Sequence, residues 1–345
     1  MVNACLRKYT LFFVSNIFAA YAFAQNIVEV NKSGNQQVVT VTVNGKPFTT
    51  FMFPDSLEKP VLYPIYAADG QLITRGYPLQ PRPGDPTDHP HHIGLWFNYE
   101  NVNGLDFWNN SFAIPAEKKK QYGWIRTDNV QTQSGSKGTL TYTAHWHDIE
   151  KHVLLNEVTT FVFSGDEHIR IIDRTTTLTA MDKILFKDAK DGMMGLRVAH
   201  ELQLPDTATK KFTDNKGNVT TVQGNAAATG NYITSEGKTG NAAWGTRAGW
   251  CMLYGKKGED TISIAIIDHP SNVGYPAYWH ARDYGLFAVN PLGQKIFSNG
   301  KETLNFILEK GKSVTFRYRI VIHSGNYRLS DDEVSGLAET FRKMQ

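Results

Sequence analysis

Thr139-Leu140-Thr141-Tyr142-Thr143-Ala144-His145-Trp146-His147 alternates polar and apolar residues without a break. Side chains on an extended strand point to opposite faces in turn, so Leu140, Tyr142, Ala144 and Trp146 share one face. The threonines and both histidines take the other face. A strand with one dry and one wet face belongs to an antiparallel sheet that covers a core on one side only. The same period recurs in Val39, Val41 and Val43, in Ile262, Ile264 and Ile266, and in Val314, Phe316, Tyr318, Ile320 and Ile322. Asn44-Gly45 supplies the tight turn of a hairpin between the first of these runs and Lys46–Phe53. Only the C-terminus reads as a helix. Ser330 and Glu333 form a capping box there, ahead of Val334, Leu337, Ala338 and Phe341 at helical spacing. Lys210–Gly240, rich in Gly, Asn, Thr and Ala, reads as a long loop. The expected fold is all-β: one large antiparallel β-sandwich over residues 25–345 with a short C-terminal helix.

The first residues predict export. Arg7 and Lys8 precede an apolar stretch from Tyr9 to Tyr21, and Ala22-Phe23-Ala24 offers small residues where a signal peptidase cuts. Residues 1–24 are therefore expected to be removed, giving a periplasmic or extracellular chain free of the membrane. Cleavage takes away Cys5 and leaves Cys251, so no internal disulfide can form. A core of this size does not need one. Cys251 lies in an apolar strand and is expected to be buried and inert. The mature chain would hold 34 basic and 33 acidic residues, without the basic excess of a nucleic-acid binder. Seven Trp and fifteen Tyr are instead what a sugar-binding groove uses against apolar sugar faces, though a large sandwich also buries such rings.

Two segments concentrate the reactive side chains. The first runs from Gly84 to Phe97, with Asp88-His89-Pro90-His91-His92 at its centre, and continues to Trp108. The second runs from Asp268-His269-Pro270 through Trp279-His280-Ala281-Arg282-Asp283-Tyr284 to Asn290. The repeated Asp-His-Pro suggests one shared cleft. In it His91, His92, His269 and His280 carry protons or ligate, since imidazole titrates near neutrality. Asp88, Asp268 and Glu201 orient them, while Arg282, Trp96, Trp108, Trp279, Tyr284 and Asn290 bind the ligand. If residues 89–92 are extended, His89 and His91 share a face. With the same-face pair His145 and His147 they form a candidate set for a divalent metal. No cofactor fingerprint, P-loop, HExxH or GxSxG elbow is present.

The stretches Asp88–Trp108, Asp191–Arg197 and Asp268–Asn290, with the core Trp279-His280-x-Arg282-x-Tyr284-Gly285-Leu286-Phe287, resemble the secreted "methane oxygenase PmoA-like" family of unknown function. The resemblance covers nearly the whole mature chain. It implies carbohydrate chemistry and supplies no catalytic residues. By fold analogy the expected sandwich is similar to the large super-sandwich type seen in galactose mutarotase-like proteins. Three roles remain open: an acid–base enzyme (lyase, hydrolase or epimerase) on a sugar or keto-glycoside, a non-catalytic glycan binder, or a structural sandwich. The expected partner is a small-molecule or oligosaccharide ligand.

Overall fold

Alternation of this kind builds sheets, and the computed structural model contains two large ones. It describes Met1 and residues 26–34, 36–213 and 219–344. The export segment lies outside the described residues. The first sheet has eight strands in the order Val28–Lys32, Val38–Val43, Lys46–Met52, Val61–Ile65, Leu95–Tyr99, Gly192–Arg197, Leu286–Asn290 and Tyr278–Ala281. The second also has eight: Asn231–Thr234, Trp250–Lys257, Asp260–Asp268, Ser313–Gly325, Ile169–Ala180, Val153–Gly165, Gly138–His147 and Trp124–Gln133. The ladders between named strands are antiparallel, and the all-β sandwich expected from the alternation is the fold observed.

The dry faces meet between the sheets. Phe51 stacks on Tyr142 at 4.8 Å between ring centres, and Phe97 lies 6.4 Å from Trp146 and 5.9 Å from Phe316. Fully burying each such side chain contributes ~1.5–3 kcal/mol, so this layer dominates stability. One charged pair sits inside it. Glu157 accepts from Tyr142 Oη (2.6 Å), Trp146 Nε1 (2.7 Å), Thr159 Oγ1 (2.6 Å) and Arg174 (3.0 Å). Both Glu157 oxygens are engaged.

Each sheet also covers something on its outer face. On the second sheet, the helix Asp331–Arg342 lays Val334 and Phe341 on Trp250, Met252, Ala265, Ile267 and Val321. Its start carries the expected capping box. On the first sheet, the outer face carries Leu57, Val61, Tyr63, Ile93, Trp96, Trp108, Leu286 and Ala288.

Lys210–Gly240 departs from the loop expectation. Lys210–Thr213 pairs with Val219–Val222, and Asn231–Thr234 forms the edge of the second sheet. These strands are four residues long, too short to show a sustained alternating period.

Candidate active site

The register of the first sheet lays a row across its outer face. Val61 pairs with Trp96, Trp96 with Gly195, Gly195 with Ala288, and Ala288 with His280. Small residues in the middle of the row make room for the rings above them. A Cβ on Gly195 would lie 2.5 Å from Trp96 Cζ2 and 2.8 Å from Trp108 Cη2, closer than packed atoms approach. Two residues along the same strand, Arg197 points to the same face.

Arg197 and Arg75 fold the Asp88–His92 segment onto this floor. One guanidinium nitrogen of Arg197 donates to both Asp88 carboxylate oxygens at 2.9 Å, and the other donates to His92 Nδ1 at 3.1 Å. Arg75 donates to the Asp88 carboxylate (3.2 Å) and to the carbonyls of Pro86, Asp88, His89 and His92 at 2.7–3.2 Å. Lys59 donates to the His91 carbonyl at 2.9 Å. The segment is a turn: His89 has φ +46°, and the His92 amide donates to its carbonyl at 3.0 Å. Histidine enters the left-handed region more readily than most residues. The turn overrides the extended conformation expected before proline, so His89 and His91 do not line one face of a strand. Instead Tyr284, His89, His92 and Trp96 form a continuous stack, with ring centres 5.3, 4.7 and 5.1 Å apart. His91 meets both neighbouring histidines edge-on.

This geometry fixes charge states. Burial works against an ionised Asp88, but Arg197, the bond from His89 and Arg75 outweigh it and hold the carboxyl well below the usual range. His89 Nδ1 therefore donates to an ionised Asp88, and proton exchange with a ligand falls to its Nε2. Burial lowers the His89 pKa and Asp88 partly restores it, so the ring is neutral at pH 7. The His89 side chain is 26% exposed. His91 and His92 are buried, and that burial, with the cations around them, holds both well below the ordinary histidine value. His92 Nδ1 is committed to Arg197. Of these three histidines His89, which the sequence offered only as a metal ligand, is the one with a partly exposed side chain.

Across the floor, His280 Nδ1 lies 3.3 Å from Asp191 Oδ1 without the alignment of a hydrogen bond. Burial pushes the Asp191 carboxyl up to about 7; Lys190 opposes the shift, while Glu100 and Asp106 add to it. Burial raises Asp106 to about 6 and lowers Lys59 to about 8. His280 is held well below its ordinary value by burial first, then by Lys190, Arg282 and His89, so the histidines of the two segments sense each other. Burial raises the Tyr284 hydroxyl to about 12, against Arg197 and Arg282; Asp191 and Asp88 add to the rise. Tyr284 thus stays protonated at neutral pH.

Several expectations are corrected. The two Asp-His-Pro segments do not share a cleft. Asp268 ends a strand of the second sheet and accepts from Asn272 Nδ2 (2.7 Å) and the Ala277 amide (2.9 Å), while His269 packs edge-on against Phe341 of the C-terminal helix. Trp279 lies in the core between the sheets and donates to the Ala248 carbonyl at 3.0 Å, because its strand turns His280 outward and Trp279 inward. Trp96 and Trp108 are fully buried and support the histidines from below. Asn290 spends its side chain on the Ala189 and Lys190 carbonyls and on the Leu292 and Gly293 amides. Glu201 pairs with Lys257 and contacts none of the residues at 88–92. His145 is held by Asn156 and Asp128, and His147 by the Asp148 carbonyl, on the sheet opposite His89 and His91. Among the described residues no three His, Cys, Asp or Glu side chains converge as metal ligands would. Cys251 is buried, and burial pushes its thiol up.

The residues that sequence reasoning missed are Arg75, Lys59, Asp106 and Asp191, together with Arg197 in its role as the clamp on Asp88. Asp191 and Arg197 did fall inside one of the stretches that carried the resemblance.

No curated protein matches the chain. Among solved structures it is similar to the Slr1438 protein of Synechocystis sp. PCC 6803, at 10% identity and TM-score 0.33, covering 93% of this chain and 100% of that one. A galactose mutarotase-like protein from Clostridium acetobutylicum matches at 9% identity and TM-score 0.37, over 87% and 98% of the two chains. The galactosidase domain of the alpha-galactosidase-sucrose kinase AgaSK matches at 11% identity and TM-score 0.40, over 88% of this chain and 42% of that one. A family comparison matches residues 38–339, nearly the whole described sandwich, and its description carries no methane-oxygenase label. The chain belongs to the family of unknown function DUF6807.

Proposed function

We propose that the protein is an acid–base enzyme acting on a sugar or an oxidised (keto) glycoside, exported after removal of residues 1–24. The observation that carries the reading is a pair of carboxyls on one sheet face whose surroundings drive them apart: Asp88 held ionised behind His89, Asp191 raised to about 7 beside His280. Such a split separates base from acid. His89, neutral and oriented by Asp88, takes a proton from the substrate through Nε2. The resulting imidazolium is stabilised by the Asp88 charge. Asp191, protonated up to neutral pH, returns a proton to the oxygen that gains charge, and the Tyr284 hydroxyl supplies a neutral donor. Proton removal from the carbon beside a carbonyl gives an enolate. Return of a proton to that carbon from the opposite face is epimerisation. Expulsion of the β-oxygen substituent, protonated by Asp191 as its bond to carbon breaks, is elimination. Both make a keto-glycoside the fitting substrate class. Water in place of the departing group gives hydrolysis.

Turnover by the mature chain on a panel of glycosides and 3-keto-glycosides tests the proposal. The wild type should convert at least one of them. His89→Ala should lose ~10²–10⁴ in rate, the usual cost of removing a general base, with its melting temperature nearly unchanged. Glycan binding without conversion, equal in both proteins, would make this a binding protein and end the enzyme reading. Intact mass of the exported chain should begin at Gln25; a chain that keeps residues 1–24 contradicts the export part.

A further inference from the structure

Beside the acid–base residues the outer face has a corner made of Trp244, Phe297, His280, Arg282 and Tyr284. Phe297 meets Trp244 at 5.4 Å and His280 at 5.7 Å between ring centres, which ties the two together. The Arg282 guanidinium lies 5.9 Å from the Trp244 ring and 5.6 Å from the Tyr284 ring. Its main chain is fixed, because the Tyr232 hydroxyl donates to its carbonyl at 3.2 Å and its amide donates to the Leu286 carbonyl at 2.7 Å.

The corner is rich in donors and poor in acceptors. The Arg282 guanidinium has no hydrogen-bonding or ion-pairing partner among the described residues; its contacts are the two rings. The nearest carboxylate in sequence, Asp283, is taken by Lys210 at 2.8 Å. Trp244 Nε1 is buried without an acceptor, and His280 Nδ1 likewise makes no aligned hydrogen bond. Lys190 also acts on His280, so a second cation borders the corner. Asp191, whose Oδ2 lies 3.5 Å from Lys190 Nζ, balances this charge only in part at neutral pH, because burial raises its carboxyl to about 7. Buried donors in folded proteins almost always have acceptors. A guanidinium within reach of two rings and without a counter-charge among the described residues presents a planar fork, which matches the two oxygens of a carboxylate.

We infer that this corner receives the carboxylate of a uronic acid residue, so that the substrate is an acidic, uronate-bearing glycan. The inference rests on the acid–base reading of the same face and adds the class of substrate. Arg282 grips the carboxylate as a bidentate pair. Trp244 Nε1 donates to one carboxylate oxygen from the side, and the sugar ring lies toward His89 and Tyr284.

Calorimetry with the full mature chain separates the two levels. The probes are oligosaccharides ending in glucuronate, galacturonate or mannuronate, the matching neutral oligosaccharides, and inorganic sulfate as a plain anion. At least one uronate-bearing probe should bind about tenfold or more tightly than its neutral counterpart. Arg282→Gln should weaken that binding about a hundredfold. Arg282→Lys, which keeps the charge without the fork, should weaken it about tenfold, and both variants should melt like wild type. His89→Ala should keep the preference for the uronate probe over its neutral counterpart, whatever it loses in affinity for both. Should neutral probes bind as tightly, should Arg282→Gln bind like wild type, should no uronate-bearing probe bind, or should sulfate alone compete equally, the uronate inference is overturned while the acid–base reading stands. Full turnover of a confirmed substrate by His89→Ala would have the opposite effect, removing the acid–base reading and leaving the carboxylate site.

Discussion

Asp88-His89-Pro90 and Asp268-His269-Pro270 are the same three residues put to opposite uses. Asp88 lies on the outer face of the first sheet under two arginines and stays ionised. Asp268, at the end of a strand in the second sheet, has amide donors and no ion-pair partner among the described residues, and burial pushes it up to about 7. His89 leans into an aromatic stack with part of its edge exposed, whereas His269 sits against Phe341 under the C-terminal helix. A tripeptide therefore specifies a local turn, while its chemistry is set by what the fold brings against it. Arginine beside a carboxylate makes an anion that can orient a base. Amide donors alone in a buried place make a neutral acid that joins loops.

The contrast can be broken from either side. The largest expected difference is in turnover. Asp88→Asn should cost ~10²–10⁴ in rate, because an amide neither stabilises the imidazolium nor fixes its tautomer. Asp268→Asn should stay within a few-fold of wild type on the same substrate. Equal losses from the two changes would restore a shared cleft.

Next in size is the pH dependence of stability. The folded-state pKa of Asp268, about 7, stands above its ordinary value of 3.8. The stability it contributes is thus fully present below the ordinary value and is lost as pH rises to about 7. For a shift of this size the loss is on the order of a few kcal/mol. Denaturant unfolding at pH 5 and pH 8 should show it, and Asp268→Asn should remove Asp268's share, leaving that of Asp191, raised to about 7, and Asp106, raised to about 6. Asp88 works the other way: its contribution is present above its ordinary pKa and disappears only in strong acid. A pH dependence that survives Asp268→Asn unchanged would assign the effect to another group. The smallest expected effect is His269→Ala, which removes an edge-to-ring contact with the helix and should cost about 1 kcal/mol of stability with turnover unchanged.

Period-two patterns such as Leu140–Trp146 and Ile262–Ile266 foretold the sandwich, because burial on one face leaves a local signature in every long strand. The cap at Ser330 and Glu333 was equally readable. The site was legible only in part. The histidines of 89–92 and 280 do lie on one face, yet which of them titrates depends on the φ +46° turn at His89 and on Arg197, about a hundred residues away in sequence. Trp279 and His280 differ by one position on a strand, and that step sends one ring to the core and the other to the site. Nothing local distinguishes a supporting tryptophan from a stacking one. Asp191 fell inside a stretch of the resemblance but had no chemical signature of its own, since its raised pKa arises from burial and from Glu100 and Asp106.

The central claim is that His89 and Asp191 act as a base and an acid of separated pKa, and the pH profile of kcat/KM tests it most directly. His89 must be neutral, and its pKa lies below the ordinary 6.5, so the rate should rise along an acid limb below that value. Asp191 must be protonated, so the rate should fall above about 7. The predicted result is a narrow bell in wild type whose alkaline limb disappears, at a lower overall rate, in Asp191→Asn. A flat profile from pH 5 to 9, or an alkaline limb unmoved in Asp191→Asn, would contradict the account.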